Sequence, residues 1–154
     1  MKNFTKAVIF FVFIFVLFVP FASAVSLGGG GLSYSGVMGT DANGATAMQS
    51  YTSANAVIEI NKNSSVEAEF WLNSGGVAAT RISYIYKFLM HPLYPYAGVG
   101  VLISNSVSMS LKGGLEVNFG KFSAYAGAGY INSFTAGDRG LISFEGGIRY
   151  YINK

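Results

Sequence analysis

The chain has 154 residues, of which 51% are apolar, 16% aromatic and only 11% charged, with a formal net charge of +3. This composition excludes a disordered chain, and because soluble domains carry about 25% charged residues, much of the folded surface is expected not to face water. The absence of cysteine excludes disulfides, thiolate metal sites and lipoprotein acylation, and a single histidine excludes a multi-histidine metal centre. No motif for a cofactor is present, so we expect neither a metal nor a cofactor.

The first 24 residues have the pattern of a secretory signal peptide. Two lysines precede an unbroken apolar run over residues 7–19, and Ala22-Ser23-Ala24 resembles a cleavage site. A retained membrane helix is the alternative, but the run is shorter than the roughly 20 residues that span a bilayer. We therefore predict removal of residues 1–24, leaving one domain over residues 25–154. Cleavage lowers the net charge from +3 to +1, which leaves no basic patch for nucleic acid.

Alternation of apolar and polar residues along the mature chain predicts strands and no helix. In chain order, the predicted strands are Val25–Tyr34, Ala54–Ile60, Val66–Leu72, Thr80–Phe88, Tyr96–Ile103, Val107–Phe119, Lys121–Ile131 and Leu141–Ile152. The first of them contains four consecutive glycines and is inferred mainly because closure of the sheet needs an eighth strand. Short segments rich in Asn, Gly and Ser separate most of them and indicate consecutive hairpins. The longest connection, Ser35 to Ser53, is rich in small residues and predicts a surface loop. The connection Asn132 to Gly140 is expected to form a second outer loop at the same end. The length of the mature chain suits an all-β fold. We predict an eight-stranded antiparallel up-and-down transmembrane β-barrel, a meander in which consecutive strands are neighbours.

The charged residues of these strands share one face. Five acids and five bases lie on it, with a net charge of zero, and the remaining charges fall in turns, loops or the terminus. A confined lumen needs such a balance, because an unpaired charge in low dielectric is costly. The alternative is the charged exterior of a soluble barrel, which should carry more charge. We predict a lumen network of Glu59, Glu67, Glu69, Arg81, Lys87, Lys112, Glu116, Lys121, Glu145 and Arg149.

The opposite face has aromatic residues near the strand ends and small apolar residues between them. This pattern is typical of the lipid-facing band of a membrane barrel with aromatic girdles at both interfaces. Ordinary β-sandwich cores also use aromatics, so the feature is supportive rather than decisive. The predicted lipid-facing residues are Phe122, Ala124, Ala126, Ala128, Tyr130, Phe144, Ile148 and Tyr150.

Two segments rich in glycine have similar sequences. Residues 96–100, Tyr-Ala-Gly-Val-Gly, recur as Tyr-Ala-Gly-Ala-Gly at residues 125–129. Alternation of large and small residues fills the interior of a narrow barrel. A phosphate-binding loop is the competing interpretation, but no Gly-Lys-Ser/Thr follows and no helix begins there.

Three segments resemble the small outer-membrane β-barrel superfamily, the OmpA transmembrane-domain and OmpX-like proteins: residues 95–100, 122–130 and 144–152. The resemblance implies an eight-stranded monomeric barrel in the outer membrane of a diderm bacterium, with both termini in the periplasm. It also implies outer-membrane lipid and the barrel-assembly machinery as partners. The family usually ends on Phe or Trp, whereas this chain ends in Asn153-Lys154.

Catalysis has little support in the sequence. Some barrels that resemble this one modify lipid A with a histidine near the outer leaflet, but His91 follows the fourth predicted strand, in an expected periplasmic turn. No nucleophile or orienting acid accompanies it, and no catalytic residue is predicted. Three functions stay open: a structural or surface-interaction barrel with a plugged lumen, a narrow porin-like channel, or a secreted soluble barrel that binds an apolar ligand inside. An eight-stranded interior is filled by side chains, which favours the first over the second.

Overall fold

The computed structural model describes residues 26–40, 46–134 and 140–152. These residues form a closed barrel in which each strand pairs antiparallel with the next along the chain. The strands are β1 Ser26–Thr40, β2 Thr46–Glu59, β3 Ser64–Asn73, β4 Gly76–Lys87, β5 Leu93–Ile103, β6 Val107–Phe119, β7 Phe122–Ser133 and β8 Leu141–Tyr151. In this described part of the chain, no helix is long and apolar enough to cross a membrane. The predicted fold class, an all-β, eight-stranded antiparallel up-and-down barrel, is confirmed.

The barrel closes through pairing of β1 with β8, from Gly29↔Tyr151 to Met38↔Ile142. The register is staggered, as a closed barrel with tilted strands requires. Following the paired residues around the barrel from Leu27 leads back to β1 at Met38, eleven positions further along that strand. This path runs through Ile58, Val66, Tyr84, Val99, Leu111, Tyr130 and Ile142.

The first hairpin is longer than the sequence indicates. β1 and β2 pair from Ser26↔Glu59 to Thr40↔Thr46, so the predicted loop from Ser35 to Ser53 is wrong for most of its length. Its small residues are typical of loops, but in this hairpin the backbone ladder holds the strands together and small side chains fit a crowded interior. Ser35 and Ser53 are both fully buried.

Several sequence predictions lie outside the described residues. They include the signal peptide, residues 1–24, and residues 135–139 of the predicted second outer loop, Asn132 to Gly140. The described parts of that loop are the end of β7 and the residue before β8. Asp41, Asp138, Arg139 and Lys154 also lie outside the described residues.

The two ends of the barrel differ in their connections. We call the end where β1 begins and β8 finishes the terminal end; it carries residues 60–63, 88–92 and 120–121 between strands. The opposite end, which we call the far end, carries residues 74–75 and 104–106. Because successive side chains of a strand point to opposite faces, each strand sends one set into the lumen and the other outward.

Candidate functional site in the barrel lumen

Four acids and four bases lie inside the barrel and contact one another. We call this group the charge cluster: Glu67, Glu69, Glu116, Glu145, Arg81, Lys87, Lys112 and Arg149. All of them are buried except Lys87, whose side chain is 12% exposed. Equal numbers of acids and bases make the cluster neutral, which removes the large cost of an uncompensated charge in low dielectric.

Arg81 joins two carboxylates from different parts of the barrel wall. On the neighbouring strand, Glu69 Oε2 accepts hydrogen bonds from Arg81 Nε at 2.9 Å and Nη2 at 2.5 Å. The same Nη2 also pairs with Glu145 on β8, across the lumen. The guanidinium carbon lies 5.2 Å from the centre of the Trp71 ring. Arg81 therefore connects opposite walls of the barrel.

A second layer is formed around Glu67. Its carboxylate accepts hydrogen bonds from Arg149 Nη2 at 2.5 Å and from Lys112 Nζ at 2.7 Å. Arg149 Nη1 donates to Glu116 at 2.8 Å, and Lys112 Nζ lies 3.3 Å from Glu145. These last two pairs join β6 to β8 across the intervening β7, whose Tyr125 ring contacts Arg149, so the structure brings together inward groups from three neighbouring strands.

Lys87 forms the end of the cluster nearest the terminal end. Its Nζ lies 2.9 Å from Glu116 Oε2 and donates a hydrogen bond to the hydroxyl of Tyr151 at 2.5 Å. That hydroxyl in turn donates to Glu116 Oε1 at 2.9 Å. The partly exposed amine thus connects the buried charges to the terminal mouth of the barrel.

Two residues of the predicted network lie elsewhere. Lys121 is exposed in the turn between β6 and β7, so its prediction as a lumen residue is corrected. Lys121 belongs to the two-residue turn between Phe119 of β6 and Phe122 of β7. The alternation of inward and outward side chains along a strand does not apply in that turn. Glu59 is the last residue of β2 and lines the terminal mouth, beside Lys62 and Lys87 rather than within the charge cluster.

An apolar layer fills the lumen towards the far end. We call it the apolar cap: Val37, Trp71, Ala79, Leu102 and Ile131, with the partly buried Tyr51 and Leu141 packed against it. The Tyr51 and Trp71 rings are 5.2 Å apart between centres. The predicted inward face was defined by its charged residues and therefore did not include this layer. The alternation of inward and outward residues, extended along each strand beyond its last charged residue, is the signal that assigns the apolar cap to the lumen.

Two tyrosines cross the lumen at the level of the charge cluster. Tyr96 and Tyr125 pack edge to face with ring centres 6.5 Å apart, and Tyr96 donates a hydrogen bond to Glu145 at 3.1 Å. Arg149 stacks on the Tyr125 ring at 3.6 Å from its centre. Gly114 and Gly127 provide the space, since a Cβ at either position would meet the Tyr96 hydroxyl.

Replacing Gly127 by alanine is expected to destabilise the barrel by about 1–3 kcal/mol, the usual cost of overpacking. Its added Cβ would meet the Tyr96 hydroxyl and lie 2.7 Å from the Gly113 carbonyl oxygen. Urea unfolding of the protein in detergent or lipid measures the loss. Gly146→Ala is the control, because a Cβ there meets nothing closer than 3.6 Å. Equal stability of the two variants would contradict this packing.

The residues predicted to face lipid all point outward. Phe122, Tyr130, Phe144, Ile148 and Tyr150 are 43–59% exposed. Ala124, Ala126 and Ala128 lie between the two aromatics of β7 and are also exposed. Outward residues on the other strands are mostly apolar, and every member of the staggered path that closes the barrel is Leu, Ile, Val, Tyr or Met. The exterior of the described barrel is therefore predominantly apolar.

The remaining candidate positions lie at the terminal end. His91 is exposed in the connection between β4 and β5, with its ring 6.3 Å from that of Tyr94. A cleft of about 300 Å³ opens at the same end of the barrel, lined by polar residues of the turns and strand ends together with Leu89, Tyr94 and Lys87. Within the described ranges, no group of three or more His, Asp or Glu is arranged to hold a metal ion.

Comparisons with known proteins identify fold neighbours but no family. No protein-family model and no curated protein matches the sequence. The crystal structure of Neisserial surface protein A is similar with a TM-score of 0.65 and 16% identity, over 83% of this chain and 99% of that chain. The solution NMR structure of the de novo designed TMB2.3 is similar with a TM-score of 0.51 and 16% identity, over 82% of this chain and 98% of that chain. At this identity the likeness shows a shared fold, an eight-stranded closed barrel.

Proposed function

We propose that the chain is an integral outer-membrane barrel of a diderm bacterium, with a structural or surface-interaction role and a lumen closed by its own side chains. In this proposal the protein is a monomer, belongs among the OmpA-like and OmpX-like barrels, and is exported with a cleaved signal peptide. Outer-membrane lipid surrounds it, the barrel-assembly machinery inserts it, and it does not bind nucleic acid or act as an enzyme. Its termini face the periplasm.

The observation that carries the proposal is the distribution of polarity across the barrel wall. Among the described residues, the charge cluster lies inside the barrel, while 26 large hydrophobic side chains are 37–65% exposed on the outside or at the ends. Soluble monomers seldom expose contiguous apolar patches larger than a few hundred Å². A closed barrel also satisfies the backbone hydrogen bonds that lipid cannot. Hydrocarbon is therefore the environment that suits this exterior.

Two further points support the location. The apparent signal peptide indicates export, and a neighbour of the same fold is named as a surface protein of Neisseria. Phe122 and Tyr130, at the two ends of the outward set of β7, are separated by eight residues, which gives about 20 Å after tilt. That spacing approaches the height of the apolar band of outer-membrane barrels, about 25 Å.

The alternatives fit the lumen less well. A soluble barrel that binds an apolar ligand needs an apolar interior, whereas this lumen contains the charge cluster and many buried serines. A porin-like channel needs an open lumen, whereas side chains of the charge cluster and of the apolar cap project into this one. The charges balance without any ligand, so the structural or surface role is favoured.

Membrane fractionation tests the proposal. We expect the mature protein to sediment with outer membranes after high-salt and alkaline washes, and to migrate differently before and after boiling on a denaturing gel. Recovery in the soluble periplasmic or extracellular fraction without detergent would reject the membrane location. In a planar bilayer the unmodified protein should give no stable conductance, and large porin-like steps would reject the closed lumen.

A further inference from the structure

We propose that the polar part of the lumen takes up water from the terminal end, and that the apolar cap is the layer that seals the barrel. The inference rests on the proposed membrane-barrel function and goes beyond it, because it identifies the layer that closes the lumen. In this account water reaches the charge cluster, and the barrier to ions lies beyond it, towards the far end.

The entrance is the cleft at the terminal end. Besides turn residues, Glu59, Ser65 and Lys87 line it. Lys87 belongs to the charge cluster and contacts both Glu116 and Tyr151, so the entrance opens directly onto buried charges. The exposed part of the Lys87 side chain, 12%, is larger than that of any other member of the charge cluster. Solvent access therefore begins at the charged layer nearest the terminal end.

Orphaned polar atoms continue the route inward. Among the described residues, buried side-chain atoms without a hydrogen-bond partner are Ser35 Oγ, Asn55 Oδ1, Trp71 Nε1, Arg81 Nη1, Ser110 Oγ, Ser123 Oγ and Arg149 Nε. Ser123 lies one residue into β7 at the terminal end, and Arg81 lies beside the cap. Buried polar groups carry a free-energy penalty unless protein or water satisfies them. In this proposal, bridging waters satisfy these atoms and carry solvent from the terminal end up to Trp71.

The seal differs chemically from the layers below it. Val37, Ala79, Leu102 and Ile131 present no side-chain polar atom, and with Trp71 they are only 2–8% exposed. An apolar constriction stops ions because water leaves it, whereas charged and hydroxyl-lined layers keep their water. Conduction through the barrel should therefore depend on the cap and not on the salt bridges.

Planar-bilayer recordings distinguish whether the apolar cap or the charge cluster blocks ions. Leu102→Ala with Ile131→Ala thins the cap, while Lys112→Met with Glu67→Gln disrupts the charge cluster and keeps it neutral. We expect small, stable conductance steps from the first variant and none from the second or from the unmodified protein. Conduction by the second variant and silence of the first would overturn the assignment of the seal. Large steps from the unmodified protein would instead reject the closed lumen of the proposed function.

Thiol labelling with single substitutions also tests whether the apolar cap is the seal. It gives the answer if the variant with the thinned cap fails to fold. The chain contains no cysteine, and Ser123 and Ile131 both point into the lumen from β7. In folded protein, we expect 2-aminoethyl methanethiosulfonate to modify Ser123→Cys about a hundredfold faster than Ile131→Cys, because the reactive thiolate forms poorly in apolar surroundings. Lys62→Cys, in an exposed turn, gives the unhindered rate. Equal rates at the two lumen positions, or no reaction at Ser123→Cys, would overturn the proposal.

Discussion

Replacing Arg81 by methionine is expected to lower the free energy of unfolding by about 3–5 kcal/mol, since removal of one partner leaves buried charges unmatched. Arg81 is fully buried and contacts Glu69 and Glu145. Lys112 lies 3.8 Å from Glu69 and 3.3 Å from Glu145. It also pairs with Glu67, so in the variant it neutralises the two carboxylates only in part. Urea titration of the protein folded in lipid vesicles measures the loss.

A double substitution distinguishes lost charge balance from lost packing. Arg81→Met with Glu69→Gln leaves three acids and three bases in the charge cluster, so it should cost less than the sum of the two single changes. Lys62→Met, in an exposed turn, is the surface control and should stay within about 0.5 kcal/mol of the unmodified protein. Additive losses in the double variant would show that the ion pairs are not coupled.

Replacing Ala126 by arginine is expected to cost about 2–4 kcal/mol, the range for a cation at the bilayer midplane on the outer face of a barrel. Ala126 lies in the middle of β7, between Leu115 of β6 and Gly146 of β8. Its side chain is already exposed in the structure, so arginine meets no steric barrier. The loss therefore measures transfer of the charge into lipid.

The matched control is Asn132→Arg on the same strand and face. Asn132 is exposed near the far end of β7, where an interface should reduce the cost to about 0–1 kcal/mol. Folding yield and unfolding free energy in the same lipid compare the two variants. Equal effects would contradict a lipid-facing band centred on the strand.

The alternation of residues was sufficient to predict most strands, because a period of two directly reflects which face each residue occupies. Val107–Phe119 is β6 to the residue. The first hairpin was shortened because Gly, Ser and Thr have weak strand preferences. Its pairing depends on the ladders that β1 makes with β2 and β8, which local sequence does not reveal.

The site was predictable only in part. Charges identify the inward face where they occur, and the charge cluster contains eight of the ten residues predicted for the lumen network. The sequence did not indicate which ion pairs form, because partners such as Arg149 and Glu67 meet across the lumen. The apolar cap was missed because Trp71, Leu102 and Ile131 are apolar, and residue type alone does not distinguish a lumen plug from a lipid-facing residue.

Spin-label accessibility along β7 tests most directly whether the barrel wall is embedded in lipid. Single cysteines replace Lys121, Ala124, Ala126, Ala128 and Asn132 in turn, each is spin-labelled, and the protein is reconstituted in liposomes. Collisions with oxygen, which concentrates in hydrocarbon, are compared with collisions with a water-soluble nickel chelate. We expect oxygen access to peak at Ala126 and nickel access to be lowest there, rising towards Lys121 and Asn132. High nickel access at all three alanines would show that this face meets water and would contradict the membrane barrel.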